Sequence, residues 1–233
     1  DIWMTTTAIC EGFRVCQSFL GAKIHDAKDP GADLSAMLTQ VVGSLFSLME
    51  TYAPVWTQVQ GSTPTPLFGF PFEVGLEPIA VNLERMVDHF RRGVADLKQL
   101  WAPLLASGDL QRLERLATGD TGSFHLDDDL WVRILFDFSA AFHRRVMDRQ
   151  HLVRSMLPLY MGRVASFILE VRESGAAEVE DRIEQLCLAF ESHKSYLVQH
   201  WTTRTPDSAP VPEEQPAGQP SAPELLQTQT AKR

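Results

Sequence analysis

Cysteine is scarce in this chain: Cys10, Cys16 and Cys187 are the only three in 233 residues. They form no Cys-x-x-Cys pair, and an odd number at scattered spacing argues against a disulfide framework and fits a reducing cytosol. Long apolar runs are lacking too. The most apolar stretch, 152–171, is interrupted by Arg154, Pro158, Arg163 and Glu170, whereas a spanning helix needs about 20 mostly apolar residues with few charges. No basic start followed by an apolar core is present, so no signal peptide is expected. Positive charge is short as well. The chain carries 21 basic and 30 acidic residues, a net −9. Residues 204–233 hold three basic and four acidic side chains, or −1, leaving 18 against 26, or −8, for the rest. An acidic body argues against nucleic acid as the main partner, because phosphate binding needs a basic stripe. These absences lead us to expect a cytoplasmic protein with no membrane or nucleic-acid partner. The first residue is Asp1 and not Met, and we expect a fragment.

What is abundant is helical periodicity. Hydrophobic content of 44% and charged content of 22% are ordinary for a globular protein. Residues 1–11 read as a short helix stopped by Gly12. Asp33 suits the N-cap of a helix whose stripe runs Leu34, Met37, Leu38, Val41, Val42, Leu45, Leu48, Met49, Tyr52 and Trp56. Further stripes follow over 83–101, 109–117, 130–146, 153–171 and 179–201. Pro158 is expected to kink the helix that contains it. Gly and Pro punctuate 61–78, where Leu67, Phe68, Phe70 and Phe72 predict an ordered loop pressed onto the core. Beyond Pro206 the composition turns to Pro, Ala, Gln, Ser and Glu without aromatics, which predicts disorder.

One segment breaks the helical pattern. Residues 13–24 read as a strand, with Val15, Gln17, Phe19 and Gly21 on one face and Cys16, Ser18, Leu20 and Ala22 on the other. The strand delivers Lys23 and His25, two residues apart and hence on one side. A cation beside an imidazole at the rim of a sheet suits a diphosphate with its divalent ion. A lone strand among helices has unpaired backbone groups and implies further sheet partners.

Four runs in order carry a resemblance: Asp1-Ile2-Trp3-Met4-Thr5-Thr6-Thr7, Glu11-Gly12-Phe13-Arg14-Val15, Leu20-Gly21-Ala22-Lys23-Ile24-His25, and Leu34-Ser35-Ala36-Met37-Leu38-Thr39-Gln40-Val41-Val42. Together they resemble the C-terminal half of GT-A glycosyltransferases, in particular the retaining glucosyl-3-phosphoglycerate and mannosylglycerate synthases. The likeness covers about residues 1–50, with a weaker echo, including Leu157-Pro158-Leu159-Tyr160-Met161-Gly162-Arg163, to about 200. It implies a mainly α chain: residues 1–32 as the C-terminal edge of a GT-A α/β domain, 33–203 as a helical C-terminal region, and 204–233 as a tail. The nucleotide-binding half and its Asp-x-Asp metal motif are absent.

The resemblance implies a nucleotide-sugar donor, a small anionic acceptor such as glycerate or 3-phosphoglycerate, and a homodimer. Mn²⁺ or Mg²⁺ would act as a Lewis acid on the leaving diphosphate. By carry-over, His25 ligates that metal, Lys23 faces the donor phosphates, and Asp1 lies at the reacting centre, orienting the acceptor or stabilising charge on the sugar. Lys28 and Arg14 are acceptor-binding candidates. Each has a plainer reading: Asp1 as a helix cap, Lys23 as a solvated edge charge, His25 as a surface residue. Asp127-Asp128-Asp129 is best explained as an acidic first turn before Leu130. His89-Phe90-Arg91-Arg92 and Phe142-His143-Arg144-Arg145 read as polar helix faces, and Trp56, Trp101, Trp131 and Trp201 as core. The rival function is a non-catalytic helical module for partner binding or oligomerisation, since long apolar stripes also pair between chains.

Overall fold

The computed structural model describes residues 2–20, 34–70 and 81–203. Asp1, Lys23, His25, Lys28 and the tail lie outside the described residues. Those described belong to one compact unit, Asp1–Thr203, and it is mainly helical, as the stripes require.

Its centre is the contact between α4 (Leu83–Trp101) and α8 (Leu157–Val171). Asn82 caps α4 by accepting the Arg85 amide at 2.9 Å. Met86, Val87, Phe90, Val94 and Trp101 then recur at helical spacing and are buried. Two glycines let the helices approach closely. A Cβ on Gly93 would collide with the Pro158 ring, and one on Gly162 would stand 2.6 Å from Phe90. Burying a side chain such as Phe90, which is fully buried, contributes about 1.5–3 kcal/mol, and that packing depends on the missing methyls.

Around this pair, α5 (Ser107–Thr118) lies against α4, and α2 (Leu34–Thr51) lies against α7 (Arg149–Ser155) and α1 (Ile2–Cys10). The helix α6 (Asp128–His143) is buried along most of its length, which its apolar residues on every face demand. It packs on α9 (Ala176–Ser192) and α10 (Lys194–Thr202). Edge-to-face aromatic pairs tie the layers: Phe46 with Phe142 at 5.5 Å and Trp56 with Trp201 at 5.3 Å. Trp101, Trp131 and Trp201 are buried, and Trp56 of the one-turn helix α3 (Ala53–Trp56) is half-buried.

Several details depart from the sequence expectations. Pro158 does not kink a continuous helix. It occupies the first turn of α8, where its missing amide is tolerated, and α7 ends before it. The expected fifth helix is two, separated at His193. Among the described residues, strand pairing is confined to β1 (Gln17–Ser18) against β2 (Leu67–Phe68), in parallel; of the strand expected over 13–24, residues 21–24 lie outside the described residues. Leu67, Phe68 and Phe70 are exposed at 55%, 57% and 88%, so the loop is not pressed onto the core. Phe72 lies outside the described residues. The apolar stretch Arg149–Val171 is mostly buried inside the bundle and is interrupted between α7 and α8.

Gly93→Ala is expected to lower stability by about 1–3 kcal/mol, the usual cost of overpacking. Thermal unfolding followed by circular dichroism checks this; an unchanged melting temperature contradicts the close α4–α8 contact.

Candidate functional site

The sheet end of the molecule combines α1, β1 and β2. Gly12 closes α1 with a left-handed backbone at φ 78°. The chain then extends, and β1 meets β2 through the Gln17 amide donating to Pro66 (2.9 Å) and the Phe19 amide donating to Phe68 (3.0 Å). Alternation along a strand turns the Ser18 amide and carbonyl to the other side, where no described strand pairs with them. Trp3, Met4, Ile9, Phe13 and Leu20 are exposed at this end together with Leu67 and Phe68 of β2 and the following Phe70. Of the predicted site residues, only Arg14 is described. It is exposed, lies between α1 and β1, and forms no ion pair among the described residues.

Beside this end, α1, α2 and α7 border a groove of about 910 Å³. One face of α2 supplies small and hydroxylated residues every fourth position: Ser35, Thr39, Gly43, Ser47 and Thr51. The Thr39, Ser47 and Thr51 hydroxyls donate to carbonyls one turn back at 2.8, 2.9 and 3.1 Å, leaving their oxygens free to accept. Across the groove, Arg149 is fixed. Its guanidinium grips both Glu50 oxygens at 2.5 and 2.7 Å and lies 4.3 Å above the Phe142 ring. Glu50 also meets His143 Nδ1 at 3.3 Å, and the imidazole stacks on Trp201 at 4.2 Å. His143 is therefore a packed connector between α6 and α10, more than the polar helix face its sequence context suggests.

The acidic run is structural, as its position before Leu130 predicts. Asp127 caps α6 by accepting the Leu130 amide at 3.0 Å and pairs with Arg112 at 2.8 Å. Asp128 binds Arg163 at 2.7 Å and Arg182 at 2.7 and 2.8 Å. Asp129 accepts from Arg112 at 3.0 Å and faces His193 at 2.6 Å. Glu170 completes the cluster, accepting from Ser166, Arg163 and Arg182 at 2.9, 3.0 and 2.7 Å. Burial alone would raise the Glu170 carboxyl, but the Ser166 hydroxyl and the two guanidinium groups outweigh it and hold the group below the usual range. Burial opposes Asp129 likewise, and Arg112 and His193 prevail there. Carboxylates so fully engaged are not free to take a metal. Among the described residues no group of three or more His, Cys, Asp or Glu is placed to hold one.

Comparison with protein-family models, curated proteins and solved structures finds no match. The groove went unseen in the sequence. Its one signal was the four-residue recurrence of small hydroxylated residues on α2, on the side opposite Met37 and Val41, which an apolar-stripe reading passes over.

Because the Glu170 carboxyl is held below its ordinary value of 4.5, its contribution is present above that pH and is lost as pH falls through the folded value. Glu170→Gln is expected to cost about 2 kcal/mol at neutral pH and to flatten the acid limb of the stability profile. Urea midpoints from pH 7 to pH 3 check this; parallel profiles for the two proteins contradict it.

Proposed function

We propose that this chain is part of a metal-dependent, retaining GT-A hexosyltransferase that moves a hexose from a nucleotide sugar to a small hydroxy acid or its phosphate. The observation that supports this reading most is the state of the sheet. Parallel sheets are found with both faces covered, and a two-stranded pair is marginal alone. Yet β1 and β2 pair in parallel with exposed apolar residues, and their outer edges meet no strand among the described residues. A larger α/β sheet is the natural complement, and β1 leads directly to the Lys23-Ile24-His25 run that carries the family resemblance.

In this reading Asp1 orients the acceptor or stabilises charge on the sugar, Lys23 faces the donor phosphates, and Arg14 and Lys28 offer cations to an anionic acceptor. The divalent ion, Mn²⁺ or Mg²⁺, would neutralise the departing diphosphate. The described residues supply no ligand set for it; the reading assigns it to His25 and to carboxylates of a nucleotide-binding half that this sequence does not carry.

The exposed apolar end also favours a second reading, a helical module that docks a partner protein without catalysis. The two differ in what completes the sheet. In the enzyme containing this chain together with its nucleotide-binding half, His25→Ala is expected to abolish Mn²⁺-stimulated hexosyl transfer while leaving the melting temperature unchanged. Donor turnover with UDP-glucose and GDP-mannose checks this. Full metal-stimulated activity in the variant removes His25 from the site, and the absence of any βα nucleotide-binding region in the coding sequence upstream sinks the transferase reading.

A further inference from the structure

We infer that the groove between α1, α2 and α7 is a binding site for a sugar phosphate of hexose size or larger. The assignment stands apart from the transferase reading, since it uses neither Lys23 nor His25 and requires no reaction.

Charge is the first ground. The chain carries 30 acidic and 21 basic residues, yet among the described residues no acidic side chain lines this groove, and two arginines do. They are prepared differently. Arg149 is locked by Glu50 and Phe142 and keeps a buried, unpartnered Nε–H. Arg154, on the next turn of α7, is exposed, and its side chain forms no ion pair or hydrogen bond among the described residues. A guanidinium left without a carboxylate in an acidic protein is available to a phosphate, which it matches with paired N–H donors.

Chemistry of the walls is the second. The α2 face offers hydroxyl oxygens whose own protons are already spent on the backbone. Such oxygens accept from ligand hydroxyls. Gln40 and Gln150 add carboxamides that both donate and accept. At the α1 side, Trp3 is 61% exposed and presents an indole to which the C–H face of a sugar ring can pack. An anion clamp, hydroxyl-matching walls and an aromatic platform together describe a phosphorylated polyol. Size is the third ground: about 910 Å³ lies at the upper end of small-molecule sites and exceeds what a bare phosphate needs.

Isothermal titration of the 233-residue chain with glucose 6-phosphate, inorganic phosphate and maltose tests this. Glucose 6-phosphate is expected to bind saturably and at least about tenfold more tightly than either of the others, because it alone engages both the arginine and the hydroxylated wall. Arg154→Gln is expected to weaken it at least about tenfold, and Trp3→Ala to weaken maltose and glucose 6-phosphate in parallel. Both substitutions are at exposed positions, and unchanged melting temperatures confirm that the variants are folded. No saturable binding of glucose 6-phosphate at millimolar concentration overturns the site, as does wild-type affinity in Arg154→Gln. Equal affinity for inorganic phosphate overturns the sugar part of the assignment. None of these outcomes touches the transferase reading, which rests on the sheet and is tested through His25.

Discussion

The contact of α4 with α8 depends on two absent methyl groups. Gly93 lets the Pro158 ring reach the α4 backbone, and Gly162 lets Phe90 reach the α8 backbone. With the axes that close, a main core runs from Phe46 through Trp101 to Ala165, and Val132, Phe136, Leu197 and Trp201 form a smaller second cluster between α6 and α10. Protein interiors are packed like organic crystals, so a methyl inserted at such a contact is felt far along both helices. The position of α8 fixes Arg163 and Ser166, and these in turn set the N-terminus of α6 through Asp128 and the Leu126 amide.

That electrostatic lock explains how an acidic protein holds so many carboxylates at close range. Asp109, fully buried, is gripped by Arg133, and Arg112 spans Asp127 and Asp129. Each arginine bridges two elements, so the carboxylates act as joints between helices. Removing the partner of a buried member such as Asp109 or Arg163 is costly because that charge stays buried without compensation. A different polar joint links α6 to α10: Asp137, 2% exposed, accepts the Tyr196 hydroxyl at 2.7 Å. Burial pushes this carboxyl upward, against the Tyr196 bond, so its contribution opposes that of Glu170 as pH changes.

Helix positions were legible in the sequence because the apolar stripes repeat at helical spacing over several turns. Capping at Asn82, Asp127 and Asp148 followed the ordinary chemistry of those residue types. Breaks were harder to read. Periodicity runs on through Pro158 and His193, since an apolar stripe is continued by a second helix that packs on the same core. The exposure of Leu67, Phe68 and Phe70 was illegible for another reason: an apolar loop looks the same whether it covers its own core or awaits a partner. Of the site residues taken from family resemblance, Arg14 alone is described, and its lack of an ion pair agrees with either function. The groove was invisible because hydroxyls and glycine on α2 carry no apolar period.

The molecule thus has two unlike ends: a closed helical body and a sheet whose outer backbone groups have no strand partner among the described residues. Amide hydrogen exchange on the 233-residue chain measures this contrast directly. Amides of α4, α6 and α8 are expected to exchange only through global unfolding, while the outward amides of Ser18 and Leu67 exchange at close to the free-peptide rate. Protection of Ser18 and Leu67 as high as that of α6 would mean that the sheet is already complete, and would contradict the account.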